Sequence, residues 1–432
     1  MDRGRTPAFL FVGTGSARMW SRRSCGGRSM TVRAAKAMSL NSADLNLLLD
    51  LLSEPTAPFR ELHVAHFVSQ FLAREEIPHF TDRHGNIVVG VDDQAEYKRL
   101  LAVRNGEPVR LFIAHMDHPG FHGLRWSGDA LAVKWHGGSP VRHLKGAKVW
   151  VADETGVVAW GRLAETKLAS HGRALDSATV QFPRLQLPGR RPRAASLFGG
   201  FAFRAPVWRA GQRLYTKAAD DLIGVFAIMQ TARALRMGRQ RGAPPFLGLL
   251  TRAEEVGFIG AIGHLELGWW RNARRPLLAV SLEASRMLPG AVVGGGPIVR
   301  LGDRRTVFHA DGLQGLTMAA QKVLGRRFQR RIMDGGACEA TATTAYGIPT
   351  IALSVPLGNY HNQGFEGGPD CRAPHGPAPE FVHVGDVAGL LTLCMAIMAP
   401  GFSGADPWRK TRSQLKQNFR DYAPLLCWCW WT

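Results

Sequence analysis

A chain of 432 residues with 45% hydrophobic and 20% charged side chains can bury a large core, which excludes a disordered or low-complexity protein. Its most apolar runs, such as PVRLFIAH and PLLAVSL, fall far short of the roughly 20 residues that a membrane-spanning helix needs, so no spanning segment is expected. The formal charge of +20 is uneven: residues 1–37 hold eight Arg or Lys and one Asp, which leaves +13 on the remainder.

Residues 1–37 are rich in Arg, Ser and Gly and almost free of acids, as in a transit peptide. The preferred reading is an extension ahead of a true start at Met38, because capped, helix-like sequence begins only at SLNSADLNLLLDLL. That run has a polar cap before leucines at helical spacing, and Pro55 and Pro58 end it. A second amphipathic helix is expected over RELHVAHFVSQFLAREE, then strands over GNIVVGVD and PVRLFIAHMD. From 121 to about 208 the texture changes. Short strand candidates (ALAVKWHG, AKVWVAD, TGVVAWGRL) are separated by Gly and Pro and lead to the basic loop PGRRPRAASLFGG, which indicates a small β-rich insertion at 121–208. The α/β pattern then resumes with a helix over DDLIGVFAIMQTARALR and strands over PFLGLLTRAEE, PLLAVSLEAS and GIPTIALSVPLG. Residues 38–120 and 209–400 therefore form one domain interrupted by another, and 401–432 form a tail whose end, LLCWCWWT, is out of character with the rest. The six cysteines are scattered without a C-x-x-C pair, which argues for a reducing compartment and a cytoplasmic location.

Several element ends carry groups that bind metals: His115 and Asp117 in FIAHMD, Asp220 and Asp221 in KAADDLIG, Glu254 and Glu255 in TRAEE, Glu283 in SLEAS, and His361 in GNYHN. Carboxyl ends of strands line the ligand crevice of open α/β sheets, so side chains of this kind concentrate chemistry there. Each alone has a plainer reading: a structural histidine, a helix N-cap, a solvent-facing pair of glutamates. Two imidazoles and several carboxylates make a set suited to zinc, cobalt or manganese with no thiolate required.

In order, HGNIVVGV, FIAHMDHPGF, GGSPVRHLKGAKVWV, KAADDLIG, AEEVGFIGA, GGGPIVRLGD and PLGNYHN resemble metallopeptidase family 42, the dinuclear aminopeptidases that include the glutamyl and tetrahedral enzymes. The likeness runs over roughly residues 42 to 395. It implies a phosphorylase/hydrolase-like mixed-sheet α/β sandwich with a small β-barrel lid inserted after the His-x-Asp strand. It implies two divalent ions per subunit, zinc with cobalt or manganese as alternatives, with Asp220 bridging them, His115 and Glu283 on one, and Glu255 and His361 on the other. It further implies that Glu254 is the general base towards metal-activated water, that Asp117 accepts a hydrogen bond from His115, and that peptides lose their N-terminal residues. Adjacent residues on an extended segment point oppositely, so aiming Glu254 and Glu255 into one site requires a turn, which Gly257 allows. Relatives form large homo-oligomers.

Three departures stand out. Glu283 occupies a position where the family usually has Asp, His118 follows the His-x-Asp motif where many members have Glu, and the stretch from His361 to Glu380 is long. His375 and His383 are nearby alternatives to His361, and Cys338 and Glu339 in DGGACEATATTAYG are expected either near the metals or in an ordinary turn. A family-20 or family-28 metallohydrolase, or a deacylase on the same site, is the nearest competitor, although the insertion between His115 and Asp220 favours family 42. A non-catalytic polyanion binder is a further alternative, suggested by RALRMGRQR and GRRFQRR. No nucleic-acid motif accompanies that charge, so no specific nucleic-acid partner and no membrane partner are expected. The basic loop at 190–193 suggests a bias towards acidic peptides.

Overall fold

The computed structural model describes residues 39–104, 106–182, 191–238, 242–402 and 406–423. The readings of residues 1–37 and of LLCWCWWT fall outside them. Among the described residues no helix is long and apolar enough to cross a membrane.

A mixed sheet forms the centre. Its four parallel strands lie in the order Phe246–Thr251, Val109–His115, Leu277–Ser281, Thr350–Leu357. Beyond them, Ile298–Asp303 runs antiparallel to Thr350–Leu357 and parallel to Gln329–Met333, and the hairpin His79–Thr81 with Ile87–Val89 closes the other edge. The strand VRLFIAH is buried at every position, as a parallel strand covered on both faces must be. Strand alternation sends its side chains to two cores. Val109, Leu111 and Ile113 pack with Tyr97, Leu101, Leu265 and Ala342, whereas Phe112 and Ala114 join Phe226, Leu250 and Leu390. Truncating a buried side chain such as Phe112 to Ala carries a cost of about 3–5 kcal/mol.

Parallel strands end together. His115, Thr251, Ser281 and Leu357 therefore finish along one edge, with Thr251 opposite His115 in register. The helix Leu222–Arg236 starts beside that edge, its first turn capped by Asp221, whose Oδ1 accepts from Gly224 N at 3.0 Å.

Leaving the sheet at His115, the chain enters a closed antiparallel barrel of six strands: Gly120–Ser127, Ala130–His136, Lys148–Asp153, Gly156–Leu168, Leu175–Gln181 and Phe198–Phe201. Residues 130–136 alternate between buried and half-buried, and the inward side chains Leu131, Val133 and Trp135 pack with Phe121, Val149, Leu163 and Val180 in a core separate from the sheet's. Closure removes the exposed edges that an open sheet of this size would present. Three of these strands are absent from the sequence reading, because Gly120, Gly123, Gly199 and Gly200 and the polar run LDSATVQ weaken the strand pattern. The barrel glycines answer a packing demand: a Cβ on Gly199 would sit 2.1 Å from the Trp150 carbonyl oxygen. Returning from the barrel, Val207–Ala210 pairs with Arg213–Thr216, which pairs in turn with Glu380–His383 in a small separate sheet.

Candidate metal centre

Five of the expected groups stand at or just beyond the aligned strand ends. His115 closes its strand; Glu254 and Glu255 follow Thr251, Glu283 follows Ser281, and His361 follows Leu357, while Asp220 arrives on the turn before helix Leu222–Arg236. Glu254–Val256 forms a single 3-10 turn, with Ala253, Gly257 and Phe258 in left-handed conformations (φ 52°, 116° and 63°). That turn swings two adjacent carboxylates to the same side. His361 is likewise left-handed, at φ 54°.

Two triads of donor atoms result. His115, Glu254 and Glu283 each place a ligand atom within 4.8 Å of the others, and so do Asp220, Glu255 and His361. Asp220 faces both imidazoles: Oδ1 lies 3.6 Å from His115 Nε2, and Oδ2 lies 3.6 Å from His361 Nε2. Glu255 Oε2 is 3.1 Å from His361 Nε2, and Glu254 Oε2 is 3.9 Å from His115 Nε2.

Three of these four separations exceed ordinary hydrogen bonds, and several of the atoms are orphaned. Asp220 Oδ1, Glu255 Oε1, Glu283 Oε1 and His361 Nε2 are buried without a hydrogen-bond partner. Two ligands about 2.1 Å from one tetrahedral ion stand about 3.4 Å apart, so spacings of 3.6 Å suit donors that share a cation. The donor set also fits the implied metals, being imidazole and carboxylate throughout.

Electrostatics agree with that fit. Burial, opposed by His115 and reinforced by Asp220, raises the carboxyl of Glu283 to about 8. Burial also lifts Glu254 and Glu255, with nearby carboxylates adding to the effect. Burial pulls both imidazoles down, but surrounding carboxylates outweigh it, so His115 rises well above its ordinary value and His361 rises to about 10. Crowded buried carboxylates gain from positive charge at their centre.

The backbone beneath the donors is held by three further buried carboxylates. Asp117 accepts from the N–H of Glu254 at 2.9 Å and of Glu255 at 3.1 Å. Glu61 accepts from Ala253 N at 3.0 Å and from Arg252 Nε at 2.7 Å. Glu380 takes N–H groups from Ala219 at 2.7 Å, Asp220 at 3.3 Å and His361 at 2.8 Å, tying the loops of two donors to one side chain. His115 Nδ1 is 3.1 Å from the Asp117 carbonyl and 3.6 Å from its carboxylate; both acceptors favour a proton on Nδ1 and leave Nε2 free. His118 packs its Nδ1 2.9 Å from the Asp220 carbonyl, and burial lowers its imidazole to about 4. Glu61 is missing from the sequence reading and Glu380 figures there only as a spacing mark. Their partners lie 192 and 160 residues away, and the only local signal is an acid at the start or end of an apolar run.

Of the other sequence candidates, two histidines serve structural roles, while Cys338 and Glu339 lie close to the donors, Cys338 lining a small pocket with Glu283. His383 caps helix Val384–Ile397, its Nδ1 accepting from Gly385 N at 3.0 Å, and His375 packs against Phe365. Cys338 and Glu339 are buried behind the sheet edge. Burial keeps the Cys338 thiol protonated and lifts Glu339 to about 7, and Glu339 accepts from the Thr251 hydroxyl. In the basic loop Arg190 lies outside the described residues, and Arg191 is paired with Asp129 at 2.6 Å.

A family model described as M42 glutamyl aminopeptidase matches residues 200–364, a span that holds Asp220, Glu254, Glu255, Glu283 and His361. Over that span the chain is similar to the M42 peptidases, which supports a peptide hydrolase, and its fold is mixed α/β with a closed antiparallel barrel. Among solved structures, the TET1 peptidase of Pyrococcus horikoshii superposes with a TM-score of 0.63 at 20% identity, over 83% of this chain and 99% of that one. An aminopeptidase from Desulfurococcus kamchatkensis gives 0.62 at 20%, over 84% and 96%. An M18-family aminopeptidase of Thermotoga maritima gives 0.56 at 14%, over 83% and 96%. At such identities these likenesses concern the fold. No curated protein sequence matches the chain.

Proposed function

We propose that this chain is a peptidase of the M42 type, a dinuclear metallo-aminopeptidase that removes N-terminal residues from peptides. The observation that carries the reading is Asp220, whose two oxygens face two imidazoles at 3.6 Å each, with a separate set of donors around each imidazole. In this reading Asp220 bridges, His115 and Glu283 hold one ion, and Glu255 and His361 hold the other. When bound, two divalent ions, zinc with cobalt or manganese as alternatives, supply Lewis acidity that activates water near neutral pH and polarises the scissile carbonyl.

Glu254 performs the proton transfer. Its carboxylate sits beside the His115 and Glu283 donors, within reach of a water shared with them, and burial raises its proton affinity towards that of a working base. It takes a proton from the attacking water and returns it to the leaving amine. Asp117 positions Glu254 and Glu255 through their backbone N–H groups. The surrounding carboxylates favour a substrate whose free amine enters first, which makes the enzyme an exopeptidase. The barrel, linked to the sheet at both ends, serves as the inserted lid domain, with the chain arranged as 38–120 plus 209–400 around 121–208. The solved TET1 structures are a dodecamer and a tetrahedral or octahedral shell. By analogy this chain works as a homo-oligomer, and its unpaired cysteines suit the cytoplasm.

Elemental analysis and aminoacyl-anilide hydrolysis test the reading together. Wild type and Glu254→Gln should both carry about two ions per chain, while the variant loses about 10²- to 10⁴-fold in rate, the span attributed to a positioned acid or base. A chain that takes up no zinc, cobalt or manganese and hydrolyses nothing overturns it.

A further inference from the structure

A cavity of about 470 Å³ lies between the barrel and the long segment that follows His361. Lys145 and Lys148 from the barrel side, Arg204, and Arg372 from the loop line it, with His143 at the rim and Asp370 as its one carboxylate. Asp370 is already engaged by Arg204: Oδ1 accepts from Nε at 3.0 Å and from Nη2 at 2.6 Å, and Oδ2 accepts from the Arg204 N–H at 2.7 Å. Among the described residues, Lys145, Lys148 and Arg372 lie within 4 Å of no carboxylate. A concave wall with one sign of charge focuses a field that attracts the other sign.

Both walls of this cavity start at His361. A Cβ on Gly138 would sit 1.9 Å from His361 Nδ1, so Gly138 touches the imidazole, and His143 follows five residues later. Gly376 on the loop side comes back against His143, where an added Cβ would lie 3.1 Å from the His143 Cβ. Five residues span at most about 17 Å, which bounds the distance from the metal-site imidazole to the cavity rim. An extended peptide reaches that limit in about five residues, so a carboxylate up to about five residues on falls within range.

We propose that this cavity is a carboxylate-binding subsite for the far end of the substrate, engaging a carboxylate about five residues downstream of the scissile N-terminus. The ligand is either the C-terminal carboxylate of a short peptide or an acidic side chain at the corresponding place in a longer one. The inference rests on the peptidase reading of the metal centre, and it makes the enzyme a trimmer of short or acidic peptides. The chemistry is charge-assisted hydrogen bonding from Lys145, Lys148 and Arg372, which the barrel and the loop bring together from separate parts of the chain.

The metal-loaded full-length protein is assayed on three pairs of peptides. A pentapeptide with a free C-terminus is compared with its amide, a decapeptide with Glu at position five is compared with its Gln analogue, and a dipeptide with its amide serves as the short control. Loss of the carboxylate in either long pair should raise KM about tenfold or more, the effect of losing a charged hydrogen-bonding partner, with kcat little changed. The dipeptide, too short to reach, should show no such ratio. In Lys148→Ser/Arg372→Ser the ratio should collapse towards one, and because each variant serves as its own reference, partial loss of folded protein cancels. An effect of amidation assigns the terminal carboxylate; an effect of the Gln exchange assigns the side chain. If wild type cleaves both members of each long pair with equal KM, the subsite is overturned while the peptidase reading stands. If wild type cleaves neither the peptides nor an aminoacyl anilide, the peptidase reading itself has failed.

Discussion

Asp117 shows how much of the site depends on groups that touch no substrate. Its carboxylate is the acceptor for two consecutive N–H groups, the buried one of Glu254 and the half-buried one of Glu255. In Asp117→Ala both lose their partner, and at about 1–3 kcal/mol for a buried group left unsatisfied the fold should weaken by at least that much. Urea unfolding at neutral pH reads this directly; a loss under 1 kcal/mol would mean that the turn holds itself. The donors themselves are legible in the sequence because each stands where an apolar run stops, at a strand end or a helix start. Glu61, and the clamping role of Glu380, are not. Both act on backbone atoms more than 150 residues away, and no local pattern encodes such a pairing. The 3.6 Å distance between the Asp117 carboxylate and His115 Nδ1 is of the same kind: spacing brings them close, and tertiary packing decides that the carbonyl is the nearer acceptor.

Among the elements, the loop between the second and third barrel strands and the edge hairpin of the sheet invite the sharpest tests. Gly138 leaves no room for a side chain against His361. Gly138→Ala should displace that imidazole and lower bound metal from about two ions per chain to about one, the count expected when one of two sites loses a ligand. Elemental analysis that still finds both ions would show that the loop yields instead. In the hairpin, Asp82 accepts from His84 N, from both nitrogens of Asn86 and from His264 Nδ1. Burial raises its carboxyl, but the bonds from His264 and Asn86 prevail and hold it below the ordinary range. A depressed carboxyl contributes stability that is complete above its unfolded value, near 4, and is lost as pH falls through the lower folded value. Asp82→Asn should therefore melt lower at neutral pH and show a shallower fall of Tm on acidification from about pH 5 to pH 3. Parallel slopes for the two proteins would remove the assignment. The long sheet strands and helices are readable from the sequence because their apolar runs are continuous. Half of the barrel is not, since strands bearing glycines at close contacts look like turns until their neighbours are known.

For the whole molecule, charge and assembly pull in opposite directions. A chain carrying +20 repels its copies, so assembly into a homo-oligomer works against that net charge. Light scattering should give a mass several times the 47.3 kDa of one chain, and raising salt should favour the assembly by screening that repulsion. A monomer at every ionic strength would rule it out. The backbone clamps formed by Glu61, Asp117 and Glu380 bear on something wider than this reaction. The scaffold that fixes the loops and the side chains proposed to meet the ions are written at different positions, so either can change while the other stays. The acid at 283 can carry the longer arm of Glu in place of Asp without redrawing the loop that presents it, and the choice of ion becomes a property tuned by single substitutions on a fixed mount. Exchanging Glu283 for Asp, or Glu255 for His, is then a route to different metal preferences in one fold, open to drift and to design alike.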